Sequence, residues 1–598
     1  MNKFAFFLLL IFSWACSPQR EEVIRPPSAP YSIGDKENLD KRYAFQQLQL
    51  VDPSTGKIPA NIHQQSLEFS KQMARTQGAH ARTKTQDYEL TGPANVGGRT
   101  RALAIDVNDD DHLIAGGVSG GMWHSEDGGG SWNRSTQANI INSVTCVVQD
   151  SRRNENNTWY YGTGELRGSS ARAVGAPYRG DGIFKSTDNG QSWDVLPATT
   201  NNQRTDFESP FNYVWKMAID PNNADEDVVY AALYGNIVKS MDGGASWYTV
   251  LGQPNLLENL SGDLNNTDAS FYTNIMITPS GKLFGYLSTT SGSGDYQFNK
   301  GIFTSEDGEN WQDITPVGFT TFSQRTVMSY APSNEKVSYF LAQGEELQLW
   351  KLDGNTWSNL SHNLPDGSGD LEELDTQGSY NMTVKVHPSD ENVVFIGGTN
   401  LYRSTDGFST QNNITQIGGY DLENHTELYE NHHPDQHDLV FSNTEDEMLC
   451  ANDGGVYKTF DNQAAEVSWV SLNNGYITSQ FYTVAVSQKS GDQGIIGGLQ
   501  DNGTYLKTKE NHGSHWTQVI GGDGAYCATT PDNRYWYASF QNGNIFKLTY
   551  DEDRLTSWAK VDPEGVDTDD YLFVAPFRLD PNSYNRMYLA AGTSIWRN

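Results

Sequence analysis

The sequence predicts an all-β protein assembled from repeated four-stranded sheets, and three observations support this prediction. Residues 124–132 read HSEDGGGSW, and close copies of the phrase begin at residues 185, 239 and 304. The copies are preceded by a common order of strand, polar turn, strand, Gly-containing turn and strand, so the surroundings repeat as well. The chain also has 57 Gly, 15 Trp and 30 Tyr, a composition typical of sheets joined by tight turns.

The recurring phrase has the form S/T-x-D-x-G-x-S/T-W, which is typical of a turn between the third and fourth strands of a unit. Its aspartate accepts hydrogen bonds from the loop that follows, and its glycines adopt positive φ. Its tryptophan is large enough to fill the space between two neighbouring sheets. The residues concerned are Asp127, Asp188, Asp242 and Asp307, with Trp132, Trp193, Trp247 and Trp311.

This form resembles the Asp-box of sialidases, sortilin-type receptors and xyloglucan-cleaving hydrolases, all of which are β-propellers. Other stretches are similar to exported Asp-box (BNR-repeat) propeller proteins of Bacteroidetes, labelled sortilin-like or glycosyl-hydrolase-like: YELTGPANVGGRTRALAID, HHPDQHDLVF, ANDGGVYKT, NNGYITSQFYTVAV and GGLQDNGT. The resemblance implies a multi-bladed β-propeller. Because propellers of unrelated activity share the phrase, its aspartates are interpreted as structural, with catalysis or calcium binding as the alternative.

The repeats predict nine complete units and an incomplete tenth. Clear units span 97–132, 141–193, 211–247, 272–311, 380–412 and 435–469, and degenerate ones span 322–357, 480–516 and 525–558. The tenth begins near Tyr571. An open sheet edge favours aggregation, so we expect a single ring of about ten blades, with residues 87–92 closing the tenth. Two smaller rings, or a chain shorter than its relatives, are the alternatives.

The amino-terminal region predicts export. Residues 1–15 have the charged start, short apolar run and small residues of a signal peptide, and Cys16 stands at the cleavage point as in bacterial lipoproteins. We therefore expect a lipid on Cys16, a flexible tether over 16–33, a helical hairpin over 34–86 and the propeller over 87–598. The expected location is the cell envelope, as an outer-membrane lipoprotein, or outside the cell. An ordinary secretory signal with an incidental cysteine is the alternative.

The net charge limits the classes of partner, and the cysteine content indicates how the fold is stabilised. The formal net charge is -33, which argues against nucleic acid and against anionic membrane surfaces, so we expect membrane contact only through the lipid. The exported chain keeps Cys146, Cys450 and Cys527, an odd number among apolar neighbours, which predicts core residues rather than a disulfide framework. We expect a monomer whose ligand is a protein, a peptide or a glycan.

A site is expected on the face opposite the recurring turns, as the resemblance to Asp-box enzymes implies. Loops from strand two to strand three and loops between blades lie there. The candidates for ligand binding are Glu165, Arg167, His433, Asp435, His437 and Asn502, and those for catalysis are Asp453, Asp501 and Asp523. Units seven to nine are expected to be neighbours in the ring, so their polar residues could converge.

Each candidate has a structural interpretation beside the functional one. Asp453, Asp501 and Asp523 adjoin glycines and can hydrogen-bond to their own turns. His433, Asp435 and His437 alternate, so an extended strand would place them on one side; this spacing suits a divalent metal but equally suits loop-stabilising hydrogen bonds. Glu165 can be a loop anchor paired with Arg167 or Arg172. No organic cofactor is expected.

Two functions remain open on the sequence alone. The first is a noncatalytic binding module, since no compact catalytic signature can be located. The second is a glycoside hydrolase, xyloglucanase-like or sialidase-like, working through two carboxylates. Carboxylates of Asp453, Asp501 and Asp523 that face each other across an open cleft would favour the enzyme, and burial against backbone amides would favour the binding module.

Overall fold

The computed structural model covers most of the chain from residue 90 onward. The described residues are 51–56, 90–137, 140, 143–152, 154–165, 178, 180–200, 209–224, 226–253, 269–289, 300–369, 371–422, 427–508, 514–552 and 554–598. The predicted signal peptide, the tether, Cys16, Arg167 and most of the predicted helical hairpin lie outside them. Within the hairpin region, residues 51–56 form a turn in which the Asp52 side chain accepts a hydrogen bond from the Ser54 amide.

Ten antiparallel sheets follow one another along the described chain, nine with four strands and the last with three, and we number them blades 1–10. The strands of blades 1–5 are β1 (Thr100–Asp106), β2 (Asp109–Gly117), β3 (Gly121–Ser125), β4 (Asn133–Arg134), β5 (Val144–Gln149), β6 (Trp159–Thr163), β7 (Ile183–Ser186), β8 (Asp194–Val195), β9 (Val214–Ile219), β10 (Val229–Leu233), β11 (Asn236–Ser240), β12 (Tyr248–Gly252), β13 (Thr273–Ile277), β14 (Leu283–Leu287), β15 (Gly301–Ser305), β16 (Gln312–Asp313), β17 (Thr326–Ala331), β18 (Asn334–Gln343), β19 (Leu347–Asp353) and β20 (Thr356–Asn359).

The strands of blades 6–10 continue the same order: β21 (Thr383–Val386), β22 (Val394–Gly397), β23 (Leu401–Ser404), β24 (Ile414–Gly418), β25 (Gln436–Phe441), β26 (Met448–Asn452), β27 (Gly455–Thr459), β28 (Val470–Ser471), β29 (Phe481–Val486), β30 (Ile495–Leu499), β31 (Gly503–Lys507), β32 (Thr517–Ile520), β33 (Ala528–Thr529), β34 (Tyr535–Phe540), β35 (Asn544–Asp551), β36 (Arg554–Lys560), β37 (Phe577–Asp580), β38 (Ser583–Ala591) and β39 (Ser594–Arg597). Short 3₁₀ helices span Pro210–Asn212, Ser361–Asn363, Gln411–Asn413 and Thr568–Asp570.

The prediction of an all-β propeller with nine complete units and an incomplete tenth is confirmed. No helix in this part of the chain has both the length and the apolar character needed to span a bilayer.

Each blade is a simple meander, and the second strand of several blades is buried on both faces, whereas β38 of blade 10 alternates between buried and exposed residues. In blade 3, Val229 of β10 pairs with Ile219 of β9 on one side and with Ser240 of β11 on the other. All five residues of β10, VYAAL, are buried, which explains why they form an unbroken apolar run instead of alternating with polar residues. The outermost strands are short and solvated, as in β4. Cys146, Cys450 and Cys527 are buried and free, as predicted for core residues.

The aspartate of the recurring phrase organises the turn between the third and fourth strands. In blade 3, Asp242 Oδ1 accepts hydrogen bonds from the Ser246 amide and the Ser240 hydroxyl, both at 2.8 Å, and Oδ2 accepts one from the Ser246 hydroxyl at 2.6 Å. Gly243 and Gly244 follow with φ of 67° and 97°, a region that only glycine adopts at little cost. Corresponding hydrogen bonds are made by Asp127, Asp188, Asp307 and Asp406.

The tryptophans of the phrase pack between neighbouring blades. Trp132 joins the apolar cluster between blades 1 and 7, and its Nε1 donates to the Leu472 carbonyl at 2.7 Å. Trp193, Trp247 and Trp311 contact the clusters between blades 1 and 2, 2 and 3, and 3 and 4, respectively. Each tryptophan therefore fixes its blade to the preceding one in the ring.

Blades 1–7 form a closed ring. Their first strands pack side by side from β1 to β25, and β25 packs in turn against β1. At this seam, Leu103 and Trp123 of blade 1 share a buried cluster with Leu449 and Val456 of blade 7. The expected single ring of ten blades is therefore wrong, because blade 7 already covers the face of blade 1 that blade 10 would have to cover. The alternative of two smaller rings holds only for blades 1–7, which form one such ring.

Blades 8–10 pack on one another as a separate row. β29 contacts β33, β30 contacts β34, and an apolar cluster that includes Tyr537 and Phe577 joins blades 9 and 10. Residues 90–95 lie against blade 8, where Trp516 Nε1 donates to the Thr91 carbonyl at 3.0 Å and the Ala94 amide donates to the Ser514 carbonyl at 2.7 Å. The expected closure of the tenth blade by residues 87–92 is therefore wrong for the described residues 90–92.

Candidate functional site

Most of the predicted site residues gather at one end of the axis of the seven-bladed ring, opposite the recurring turns. Because neighbouring strands are antiparallel, the first strand of each blade begins at this end and the second strand ends there. Polar residues at these strand ends therefore meet around the axis. We call the following side chains the mouth cluster: Arg99, Arg101, Glu165, Arg325, Tyr380, His437, Asp453 and Asp501.

Glu165 is the anion at the centre of this cluster. Its Oε1 lies 2.5 Å from Arg101 Nε, its Oε2 lies 3.5 Å from Arg99 Nη2, and its side chain is fully buried. The backbone is fixed by Tyr178, since each of the two residues donates its amide to the other's carbonyl, at 2.6 and 2.8 Å. The predicted anchoring role of Glu165 thus uses arginines of blade 1, whereas the expected partners in the following loop lie outside the described residues.

Arg99 remains charged despite its burial. Burial alone would lower the pKa of its guanidinium, but Tyr380, Glu165 and Asp453 together raise it well above its usual value. Its Nη1 also lies 3.9 Å from Asp501 Oδ2. A buried cation of this kind is retained only where carboxylates compensate for its lost hydration.

Asp453 and His437 form a close buried pair. His437 Nε2 lies 2.6 Å from Asp453 Oδ1, and both side chains are almost inaccessible to solvent. Burial and the nearby Asp501 raise the pKa of Asp453 to about 7, against the opposing effect of Arg99. Burial and three surrounding arginines hold the pKa of His437 well below its usual value. At neutral pH the imidazole is therefore neutral, and Asp453 is poised between its two protonation states.

Asp501, Asn502 and Asp523 are tied together by hydrogen bonds to the backbone. The Asp501 amide donates to Asp523 Oδ1 at 2.9 Å, and Asn502 Nδ2 donates to the Asp453 carbonyl at 3.1 Å. Asp501 Oδ2 accepts from Gln500 Nε2 at 2.9 Å. The structural interpretation from the sequence therefore fits Asp523, which holds the turn that carries Asp501. Blades 7 and 8 and the connection into blade 9 converge here, as predicted.

The alternating residues His433, Asp435 and His437 do not share one environment. His433 Nε2 lies 3.0 Å from the Asp501 carbonyl, and Asp435 Oδ1 accepts from Asn381 Nδ2 at 2.5 Å. The alternation fails because Asp435 has φ of 70° and the β25–β26 register shifts between Gln436 and Asp438. Among the described residues, no group of three or more His, Cys, Asp or Glu side chains is placed to hold a metal ion.

Sequence reasoning missed Arg99, Arg101, Arg325 and Tyr380. Arg325 Nη1 donates to the Tyr380 carbonyl at 2.8 Å, Arg101 Nη2 donates to the same oxygen at 3.2 Å, and the Arg101 guanidinium lies 4.4 Å from the centre of the Tyr380 ring. A signal was present, because an Arg-Thr pair stands at the start of the first strand in both blade 1 (RTRALAID) and blade 5 (RTVMSYA).

Several buried polar atoms of the mouth cluster have no hydrogen-bond partner within the described chain. They include the Tyr380 hydroxyl, His437 Nδ1 and Arg99 Nε, and all three side chains are at most 6% exposed. Ser143 Oγ and Asn381 Oδ1, just before the first strands of blades 2 and 6, add two more. A buried polar atom without a partner costs about 1–3 kcal/mol. Their concentration at one place indicates a site that takes water or a polar ligand.

Several solved structures are similar to this chain over most of its length at low sequence identity. No protein-family model matches the chain, and no curated protein matches it in sequence. Solved structures with a similar fold include the xyloglucanase of glycoside hydrolase family 74 from Xanthomonas campestris (14% identity, 86% of this chain and 81% of that chain, TM-score 0.48) and the family 74 enzyme of Niastella koreensis (16%, 83% and 76%, 0.45). PorZ of Porphyromonas gingivalis, a surface component of the type-IX secretion system, is another (12%, 84% and 58%, 0.43).

Proposed function

We propose that the protein is an exported binding module that takes a polar ligand of protein, peptide or glycan origin at the mouth cluster. The observation that carries this proposal is the group of buried polar atoms without partners, contributed by Arg99, Tyr380 and His437 from three different blades. A rigid ring that holds such atoms in place binds a ligand without having to reorganise.

The carboxylates of the cluster also favour binding over hydrolysis. A glycoside hydrolase needs two carboxyl groups that flank the scissile bond and are reached by the sugar. Here Asp453 is bonded to His437, and Asp523 accepts a backbone amide. These two side chains therefore already serve the protein itself.

The test compares two buried tyrosines of blade 6 by screening the full-length protein on glycan and peptide arrays and then titrating the best ligand. Tyr380→Phe removes a hydroxyl without a partner, so we expect unchanged or higher thermal stability but about fivefold weaker binding, the effect of one lost hydrogen bond. Tyr402→Phe removes a hydroxyl that donates to the Glu372 carbonyl at 2.9 Å, so we expect lower stability and unchanged binding. Binding that is indifferent to Tyr380→Phe would remove the mouth cluster as the site.

A second candidate function is glycoside hydrolysis, and one specific observation favours it. The pKa of Asp453 is raised to about 7 beside Asp501, which is how an acid and a base are set apart in such enzymes. In this case Asp453 donates the proton to the leaving oxygen and Asp501 activates water or attacks. Release of reducing ends from xyloglucan, or of sialic acid from sialyllactose, should then be abolished by Asp453→Asn and by Asp501→Asn. Wild-type protein inactive on both substrates would reject this candidate.

We further propose that Cys16 carries the lipid that anchors the module in the outer membrane, since the residues before it have the pattern of a lipoprotein signal. Mass spectrometry of the amino-terminal peptide should then show a diacylglyceryl cysteine. Cys16→Ser should release the protein from the membrane fraction. A mature chain that begins elsewhere and carries no lipid would contradict the anchor and leave the binding site untouched.

A further inference from the structure

The axis of the seven-bladed ring carries more cations than anions, although the whole chain has a net charge of -33. Arg101 and Arg325 stand at the mouth, and Lys216 of β9 and Lys385 of β21 stand further along first strands that line the axis. Charges on first strands face one another across the ring. Lys216 Nζ lies 3.7 Å from Asp438 Oδ2 although the two residues belong to blades 3 and 7.

With Arg99 included, the axis and its mouth hold five cations against four carboxylates, which are Glu165, Asp438, Asp453 and Asp501, and burial keeps Asp453 partly protonated at neutral pH. Glu165 pairs with Arg101, and Asp438 pairs with Lys216. Burial lowers the pKa of Lys385, with Asp438 opposing and Lys216 adding to the effect, so Asp438 interacts electrostatically with both ammonium groups. The axis thus keeps an excess of positive charge in a protein whose other charges are mostly negative.

Arg325 has no carboxylate partner for its guanidinium among the described residues. Its Nη1 donates to the carbonyls of Tyr380 and Ser379, at 2.8 and 3.4 Å, but no carboxylate of the described chain lies within ion-pair distance of its guanidinium. Its Nε and Nη2 donate to no acceptor among those residues. The side chain is half-buried, whereas Arg99 and Arg101 are fully buried, so a ligand can reach it.

We propose that the ring axis binds a carboxylate group of the ligand at Arg325, with Arg101 and the Tyr380 hydroxyl beside it. This inference rests on the proposed binding function and names the chemical class of its ligand. A guanidinium presents two parallel N–H groups that match the two oxygens of a carboxylate. A singly charged carboxylate suits the site better than a phosphate, because Glu165 and Asp501 lie close by and repel each added negative charge.

Such a carboxylate comes either from an acidic sugar or from the end of a peptide, and matched probes distinguish the two sources. The full-length protein is titrated calorimetrically with D-galacturonate and D-galactose, and with N-acetyl-trialanine bearing a free or an amidated carboxyl end. We expect the acid of one pair to bind at least about tenfold more tightly than its neutral counterpart, with an affinity that falls as salt is added. The pair that responds identifies the source.

Arg325→Gln should weaken this binding about tenfold or more, and Arg325→Lys should weaken it less because the charge is retained. Arg403→Gln is the control: like Arg325, Arg403 donates to two carbonyls, those of Asn462 and Ala464, but it is buried and lies near the recurring turns. Its loss should lower stability and spare binding. Equal binding of the acid and neutral members of both pairs, or unchanged binding in Arg325→Gln, would overturn the inference. If an array ligand then still depends on Tyr380, the proposed function stands without it.

Discussion

The two ends of the ring use the same residue type in opposite ways. At the recurring turns, Asp242 is solvent-exposed, and hydrogen bonds from the hydroxyl and amide of Ser246 lower its pKa to about 2. At the mouth, Asp453 is buried, and burial with the nearby Asp501 raises its pKa to about 7. The carboxylate of Asp242 is surrounded by hydrogen-bond donors that favour its charged form, and it loses little hydration, so its pKa falls.

This difference distinguishes aspartates that stabilise the fold from an aspartate that can take part in binding or catalysis. An exposed carboxylate saturated by local donors is locked in one protonation state and serves the turn that contains it. A buried carboxylate near neutrality can give up or accept a proton or adjust to a ligand's charge, which are properties of functional sites. The repetition of aspartates along the chain is therefore a guide to architecture, and the exceptional aspartate is the guide to function.

The largest expected effect concerns the buried anion of the mouth. Glu165→Gln leaves Arg99 and Arg101 without their shared carboxylate, so we expect a loss of about 3–5 kcal/mol in the free energy of unfolding, measured by urea titration. Glu306→Gln is the matched control, since Glu306 is exposed and pairs at 3.5 Å with Lys282, which is itself partly exposed; we expect less than about 1 kcal/mol. Equal losses in the two variants would show that the buried ion pairs of the mouth cluster stabilise the protein no more than an exposed ion pair does.

The second prediction concerns pH. The folded protein keeps a proton on Asp453 up to about pH 7, whereas an unfolded aspartate releases it near 3.8, so this residue makes the wild type less stable as pH rises between those values. In Asp453→Asn this dependence is absent. We therefore expect the stability of the variant relative to the wild type to increase by about 3 kcal/mol from pH 4.5 to pH 8. Urea midpoints at each pH measure this increase. A difference that stays constant with pH would contradict the raised pKa of Asp453.

The sequence predicted what depends on local pattern. The strands, the turns at Asp127 and Asp242 and the number of units all follow from residues close together in the chain. Ring closure does not, because it depends on whether the face of blade 1 that bears Leu103 fits blade 7 or blade 10, and nearly identical repeats present nearly identical faces. The number of blades in a ring is thus decided by packing between units, which the repeat itself does not reveal.

The mouth cluster was found only in part for a related reason. Asp453 and Asp501 lie in loops, where the sequence predicts functional residues. Arg101 and Arg325 instead stand at the starts of first strands and interact with residues far away in the chain. The metal hypothesis for His433, Asp435 and His437 assumed a regular strand, and the shift of register at Gln436 separates their environments. An alternating pattern of polar residues predicts a shared face only where the backbone is a regular strand, and the sequence does not reveal where the strand is irregular.

The smallest expected effect belongs to the opposite end of the ring. Asp242→Ala removes three local hydrogen bonds that resemble those of a helix cap, so we expect a loss of about 1 kcal/mol in the free energy of unfolding at neutral pH and unchanged ligand binding. Because the folded pKa of Asp242 is below the unfolded value of 3.8, its contribution is complete above that pH and fades as pH falls toward 2, the reverse of the trend at Asp453. Urea midpoints of the variant and the wild type should therefore converge in acid. If Asp242→Ala instead weakened ligand binding as strongly as Tyr380→Phe, the functional division between the two ends of the ring would fail.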